Sequence, residues 1–199
     1  MKMPEDLFCE VCSERRGINP NTLKEVIILA VEIAREGREG RRIGTMFVVS
    51  DSQEVLKRSR NLILDPLFGH PDVVKSIFDP DMRETVKELA QLDGAFAVSD
   101  EGIVLSACLY LDAFSEGIHL PLGLGSRHMA AASITKQTRS VAVVVSESSV
   151  VRIIEDGEIV SEIIPELWMF KRYSAHLNKE GKKDAKKVEE QIIVNPLDD

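Results

Sequence analysis

Residues 79–111 read DPDMRETVKELAQLDGAFAVSDEGIVLSACLYL and hold two kinds of connection in one stretch. Residues 79–92 form a helical segment, opened by Asp79 with Pro80 or by Asp81, since a short acidic side chain caps a helix start and proline suits its first turn. GAFAVS (94–99) is an apolar strand, SDEG is a turn, and IVLSACLYL (103–111) is the strand that returns. A helix leading into a strand is the mark of a crossover; the strand pair is a hairpin. A chain that uses both builds an α/β fold with a mixed central β-sheet flanked by helices.

The flanking sequence agrees. N-terminal to this stretch, Leu23, Val26, Ile27, Ala30, Val31 and Ala34 recur at helical spacing. Asn19 or Asn21 caps that helix and Gly37 stops it. EGREGRR (36–42) is a charged, glycine-bearing turn, and IGTMFVVS (43–50) is a nearly continuous apolar run, expected of a strand buried on both faces. DSQEVLKRS (51–59) reads as a short capped helix. NLILDPLFGHPD (61–72) is a loop with apolar anchors, broken by Pro66, Gly69 and Pro71. C-terminal to the opening stretch come a loop with Gly117, Pro121 and Gly123, a helix over 126–136, and a buried strand, SVAVVVSE (140–147). VVRIIEDGEIVSEI (150–163) is two strands around Asp156-Gly157, a strong hairpin signal. From Pro165 the chain is helical and then rich in lysine and glutamate, a solvated helix or frayed tail. No internal repeat is present.

The 199 residues suit one domain of ordinary size, and 44% hydrophobic with 29% charged residues is globular composition. A net charge of −8 argues against a non-specific nucleic-acid binder, which needs a basic surface. It leaves room for a nucleotide in a locally positive pocket. The N-terminus lacks the apolar core of a secretory signal, and no stretch approaches the roughly 18 apolar residues that span a bilayer. The expectation is a cytoplasmic protein with no membrane partner. Cys9 and Cys12 form a lone C-x-x-C. Only Cys108 and four scattered histidines could complete a zinc site, so the pair reads as two ordinary cysteines.

Two places concentrate chemistry. Asp93-Gly94-Ala95 stands where a helix meets a buried strand. An unpaired buried carboxylate is costly, so Asp93 is either a turn residue bonded to backbone amides or a ligand and base held at the sheet end. The near absence of side chains at Gly94 and Ala95 lets a ligand approach the backbone. The second place is GLGSRHMAAASIT (123–135). Gly123 and Gly125 lead into a helix that starts Ser126-Arg127-His128. Helix N-termini favour negative charge and bind anions through free amides, yet this one begins with a cationic pair. A ligand phosphate would supply the missing negative charge, received by the serine hydroxyl and the arginine fork. An ordinary capped helix with a surface Arg–His pair is the competing reading. The glycine spacing matches neither the Walker loop nor the dinucleotide fingerprint.

LDGAFAVSDEGIV, LGSRHMAAASIT and SVAVVVSE, taken together and in this order, resemble the diadenylate cyclase (DAC, DisA_N) family. The carriers are an Asp-Gly-Ala and an Arg-His-x-x-Ala after a glycine and a small hydroxyl residue. EGREGRRIGTMFVVSD also looks like the family's first helix-to-strand passage. The resemblance covers residues 21–164, which makes 1–20 an N-terminal segment and 165–199 a C-terminal helix and tail.

The resemblance implies condensation of two ATP into cyclic di-AMP with release of two pyrophosphates, assisted by a divalent metal ion, Mn²⁺ or Mg²⁺. It implies a face-to-face homodimer or higher homo-oligomer, each protomer holding one ATP. It implies that Asp93 binds the metal or helps deprotonate the ribose 3′-hydroxyl, that Gly94, Ala95 and Gly125 line the nucleotide, and that Tyr110 and Leu111 contact adenine. Ser126 stands where many relatives have threonine and reaches a phosphate. It implies that Arg127 and His128 hold the triphosphate and the metal, and that Ser146 and Glu147 face phosphate and metal. Two positions depart from the pattern. Met129 stands where many relatives have a basic residue, and Ser148 stands where many have a second glutamate, which weakens the metal site or shifts its ligand to Glu147. A catalytically inactive sensor of ATP or cyclic di-AMP, and a nucleotidyltransferase making a linear dinucleotide, are the alternatives.

Overall fold

The computed structural model describes residues 17–112, 114 and 116–174. Cys9, Cys12 and the charged tail lie outside the described residues. Strand β1, Thr45–Val49, is buried at every position. Its side chains alternate between two cores, as a period of two requires: Phe47 and Val49 enter one cluster, Met46 and Val48 the other. A strand with helices over both faces has no polar side, which is why the run in the sequence is continuous.

Helix α1, Pro20–Glu36, covers the first face with Leu23, Val26, Ile27, Ala30 and Val31. Asn19 is its cap, accepting the N–H of Asn21, and Gly37 ends it at φ +58°. Helix α2, Ser52–Lys57, follows β1. A three-residue strand β2, Ser59–Asn61, comes next; the sequence reading left this position in the end of a helix and a loop. Three residues carry no periodicity, and β2 exists only through its pairing with the distant end of β4, Ser59 opposite Leu111.

Helix α3, Pro80–Leu89, is capped by Asp79, whose carboxylate accepts the Asp81 N–H. Strands β3 (Ala95–Val98) and β4 (Val104–Leu111) are the expected hairpin. Helix α4, Ser126–Gln137, covers the second face. Its Ala131 and Ala132 pack with Ala95, Ala97 and Ala142 of the sheet, and these small side chains let helix and sheet approach closely. β5 (Val141–Val145), β6 (Val151–Glu155), β7 (Glu158–Ile163) and α5 (Pro165–Ser174) complete the order.

The seven strands hydrogen-bond in the order β2-β4-β3-β1-β5-β6-β7. Only β1 and β3 run parallel; every other neighbouring pair is antiparallel. The mixed, helix-flanked α/β sheet expected from the sequence is the fold formed. Phe47 and Phe96 stack at the centre, ring centroids 5.1 Å apart. No helix among the described residues is long and apolar enough to cross a membrane.

Candidate active site

Strand direction determines what meets at the sheet edge. β1 and β3 start at the same edge because they are parallel, and β5 ends there because it runs against β1. Gly44, Asp93 and Glu147 are therefore brought together from positions far apart in the chain. Arg127, in the first turn of α4, reaches into this group. Its Nη2 donates to Asp93 Oδ1 at 3.0 Å and its Nη1 to Glu147 Oε1 at 3.3 Å. The two carboxylates are 87% and 72% exposed. They converge on one guanidinium without being buried. Gly44 makes room for it, since a Cβ there would lie 2.9 Å from Arg127 Nη1.

The start of α4 has Gly125 at the cap position with no side-chain cap and no acidic residue in the first turn. Ser126 is exposed there. After β5, the hydroxyls of Ser146 and Ser148 share a hydrogen bond of 2.9 Å.

His128 faces elsewhere. It is 5% exposed, and its Nε2 lies 3.3 Å from Nη1 of Arg152 in β6. Arg152 is ion-paired in turn with Glu162, opposite it on β7. The imidazole pKa is pushed down to about 4, by burial first and then by the charge of Arg152; Glu162 opposes and Arg127 adds. His128 Nδ1 has no hydrogen-bond partner. The histidine is thus held neutral, apart from the Asp93 and Glu147 carboxylates. Among the described residues no three His, Cys, Asp or Glu side chains converge as they would around a metal ion.

Gly94 has a structural reason to be glycine. Its φ is +115°, and a Cβ would lie 2.6–2.8 Å from the backbone of Cys108 and Leu109. Cys108 itself sits at φ +57°, and the β3–β4 register shifts at this point. A left-handed non-glycine residue beside a bulge is a place where strand ends are re-aimed. Ala95 is fully buried in the second core. Tyr110 and Leu111 point apart, as neighbours on a strand do. Leu111 is buried in the same core, while Tyr110 is exposed with the Arg60 guanidinium 4.5 Å from its ring centroid. Of the pair, only Tyr110 offers a face to a ligand.

Three participants were not picked out from the sequence. Gly44 is one of 12 glycines and carried no local signal. Arg152 and Glu162 stand in a hairpin whose turn was legible, but their pairing was not. A regular two-residue turn at Asp156-Gly157 sets Glu155 opposite Glu158 and Ile154 opposite Ile159. Continued without a break it would oppose Arg152 to Ser161. The register shift between Ile153 and Ile154 opposes it to Glu162 instead.

Among known families, the one described as DAC, DisA bacterial checkpoint controller nucleotide-binding, matches residues 32–159, more than half of the chain. A protein of Methanocaldococcus jannaschii named diadenylate cyclase is 50% identical over 145 residues, which is 72% of this chain and 46% of that protein. A protein of Haloferax volcanii with the same name is 38% identical over 151 residues, 75% of this chain and 55% of that one. The chain spans about half the length of the curated relatives it matches. Among solved structures, DacA from Staphylococcus aureus is similar with a TM-score of 0.47 at 20% identity, over 78% of this chain and 95% of that chain.

Proposed function

The chain belongs to the DAC family of DisA-type nucleotide-binding domains, and on that premise we propose that it condenses two molecules of ATP into cyclic di-AMP. In each half of the reaction a ribose 3′-oxygen forms a bond to the α-phosphorus of the other ATP. The bond from that phosphorus to the α,β-bridging oxygen breaks, its electron pair leaves with pyrophosphate, and the 3′-hydroxyl gives up its proton. The observation that carries the reading is the meeting of Asp93 and Glu147 on Arg127 at a helix start without acidic residues.

Arg127 is the group that neutralises phosphate charge, and its fork can pass from carboxylate to phosphate oxygens without losing hydrogen bonds. The Ser126 hydroxyl adds a donor at the same end, where the helix start itself favours an anion. Asp93, exposed and beside Arg127, is the acceptor for the 3′-hydroxyl proton. Asp93 and Glu147 are also oxygen donors of the kind a divalent cation takes, which fits a Mg²⁺ or Mn²⁺ ion at this edge. Such an ion, when bound, would lower the pKa of the attacking hydroxyl and offset the charge of the departing pyrophosphate. His128 is better read as a fixed neutral group beneath the helix start than as a third ligand, because Arg152 occupies its Nε2. Tyr110 offers a ring face for adenine; Gly94, Ala95 and Gly125 contribute backbone. The product's two-fold symmetry requires two protomers facing each other, each bringing one ATP.

Incubation with ATP and either Mn²⁺ or Mg²⁺, with products resolved by chromatography and mass spectrometry, tests this. Cyclic di-AMP is expected from the parent chain and none from Asp93→Asn. ATP binding without turnover would identify a sensor instead, and a linear dinucleotide would identify a different transferase.

A further inference from the structure

Beside Arg127, on the side of the α1–β1 connection, the surface folds into a cavity of about 220 Å³. That is far above the ~10–15 Å³ that one water needs. Arg38, Arg41, Arg42 and Arg127 line it, with Glu39 and Glu147 as the acidic members. The local balance is therefore positive on a chain whose net charge is −8. Two of the four guanidiniums are already engaged: Arg127 with Asp93 and Glu147, and Arg38 with Glu84 and Glu88 of α3. Arg41 and Arg42 have no side-chain partner among the described residues and stand exposed at the cavity.

The backbone that presents them is built and not slack. Arg38 and Arg41 exchange two hydrogen bonds, of 3.0 and 2.8 Å, around Glu39 at φ +49° and Gly40 at φ +74°. Two successive positive φ values between paired residues are the tight hairpin turn of the primed type. Gly37, also at positive φ, closes the base: a Cβ there would lie 2.3 Å from the Arg41 carbonyl oxygen. The turn charged in sequence as EGREGRR is thus a preorganised mount for two free guanidiniums, and little ordering cost remains when an anion arrives.

We propose that this cavity receives the β- and γ-phosphates of the bound nucleoside triphosphate and holds the pyrophosphate they become. The assignment rests on the cyclase reading above. Arg127 and Glu147 belong both to the cavity and to the Asp93 cluster, so a nucleotide whose α-phosphate lies at Arg127 sits beside the pocket that Arg41 and Arg42 also line. When the α,β bond breaks, the charge that develops falls on the fragment these residues face, and arginine forks match its oxygens.

The test is an Arg41→Ser/Arg42→Ser double variant of the full chain. Cyclic di-AMP synthesis is followed against ATP and against added inorganic pyrophosphate, and calorimetry measures binding of pyrophosphate and of AMP. A control, Lys57→Ser/Arg139→Ser, removes the same charge from elsewhere on the surface. The expected result is a rise of about tenfold or more in the KM for ATP and in the inhibition constant for pyrophosphate. Weakened calorimetric binding of pyrophosphate, unchanged AMP binding and no such shifts in the control should accompany it. If the parent makes cyclic di-AMP and the double variant keeps the parental KM and pyrophosphate inhibition, the cavity assignment is wrong and the cyclase reading stands. Equal weakening of AMP and pyrophosphate, or the same shifts in the control, would overturn it as well, as a distortion or a long-range field. If the parent makes no cyclic di-AMP, the reading itself fails and takes the assignment with it.

Discussion

Nη1 of Arg152 lies 3.3 Å from Nε2 of His128, and the chemistry of the two groups decides which of them donates. A guanidinium has only donors, so Nε2 accepts and the neutral ring carries its proton on Nδ1. Glu162 holds Arg152 in that position. Nitrogen-15 NMR of the labelled protein should report the Nδ1–H tautomer for His128. Arg152→Met should abolish that preference and destabilise the fold by about 1–3 kcal/mol, because Glu162 loses its partner. An equal mixture of tautomers in the parent would refute the assignment.

The same burial makes stability depend on pH. The folded-state pKa of His128 is lowered to about 4, against the ordinary 6.5 that an unfolded chain has. The unfolded chain takes up a proton first, so the contribution of His128 is fully present above pH 6.5 and is lost as pH falls toward 4. The loss is on the order of 2–3 kcal/mol. Urea unfolding of the parent and of His128→Gln across that window checks it: the parent should lose stability more steeply than the variant, which cannot titrate there.

Arg127 should matter for activity far more than for folding. Its partners are largely exposed, and exposed ion pairs contribute at most about 1 kcal/mol. Arg127→Ala should leave the urea midpoint within that range while lowering the rate of cyclic di-AMP formation by about 10²–10³-fold. Arg127→Lys should not restore the rate, since an ammonium cannot bridge two sites as a fork does. A large loss of stability in Arg127→Ala would show a structural role instead.

Gly94→Ala should behave in the opposite way. The new Cβ would meet the Cys108 backbone at 2.6 Å, at a φ that alanine rarely adopts. Destabilisation of at least about 2 kcal/mol is expected, read from thermal or urea unfolding. Near-parental stability would mean that β4 moves aside easily, and that glycine there serves a ligand alone.

Much of the site could be read in the sequence because its members sit at element boundaries. Asp93 follows a helix and opens an apolar strand, and Arg127 and His128 open an alanine-rich helix without an acidic first turn; both are local irregularities. The charged turn of EGREGRR was legible as a turn, but nothing in it showed that Arg41 and Arg42 would face the same edge as Arg127. Tyr110 and Leu111 adjoin in the sequence, and alternation along β4 separates them, leaving Tyr110 exposed and Leu111 buried.

The sequence by itself determined the class of fold and, among the strands, every one but β2. Periods of 3.6 and two, caps such as Asn19 and Asp79, and the turn at Asp156-Gly157 are dictated by neighbours a few residues apart. Only the tertiary structure decided that Gly44, Asp93, Arg127 and Glu147 share one edge, because that follows from strand order and direction. It also decided that Arg152 meets Glu162 and His128, through one register shift in β6–β7. Convergence and register are settled by contacts between distant segments as the two cores pack around the sheet, and no local pattern encodes them.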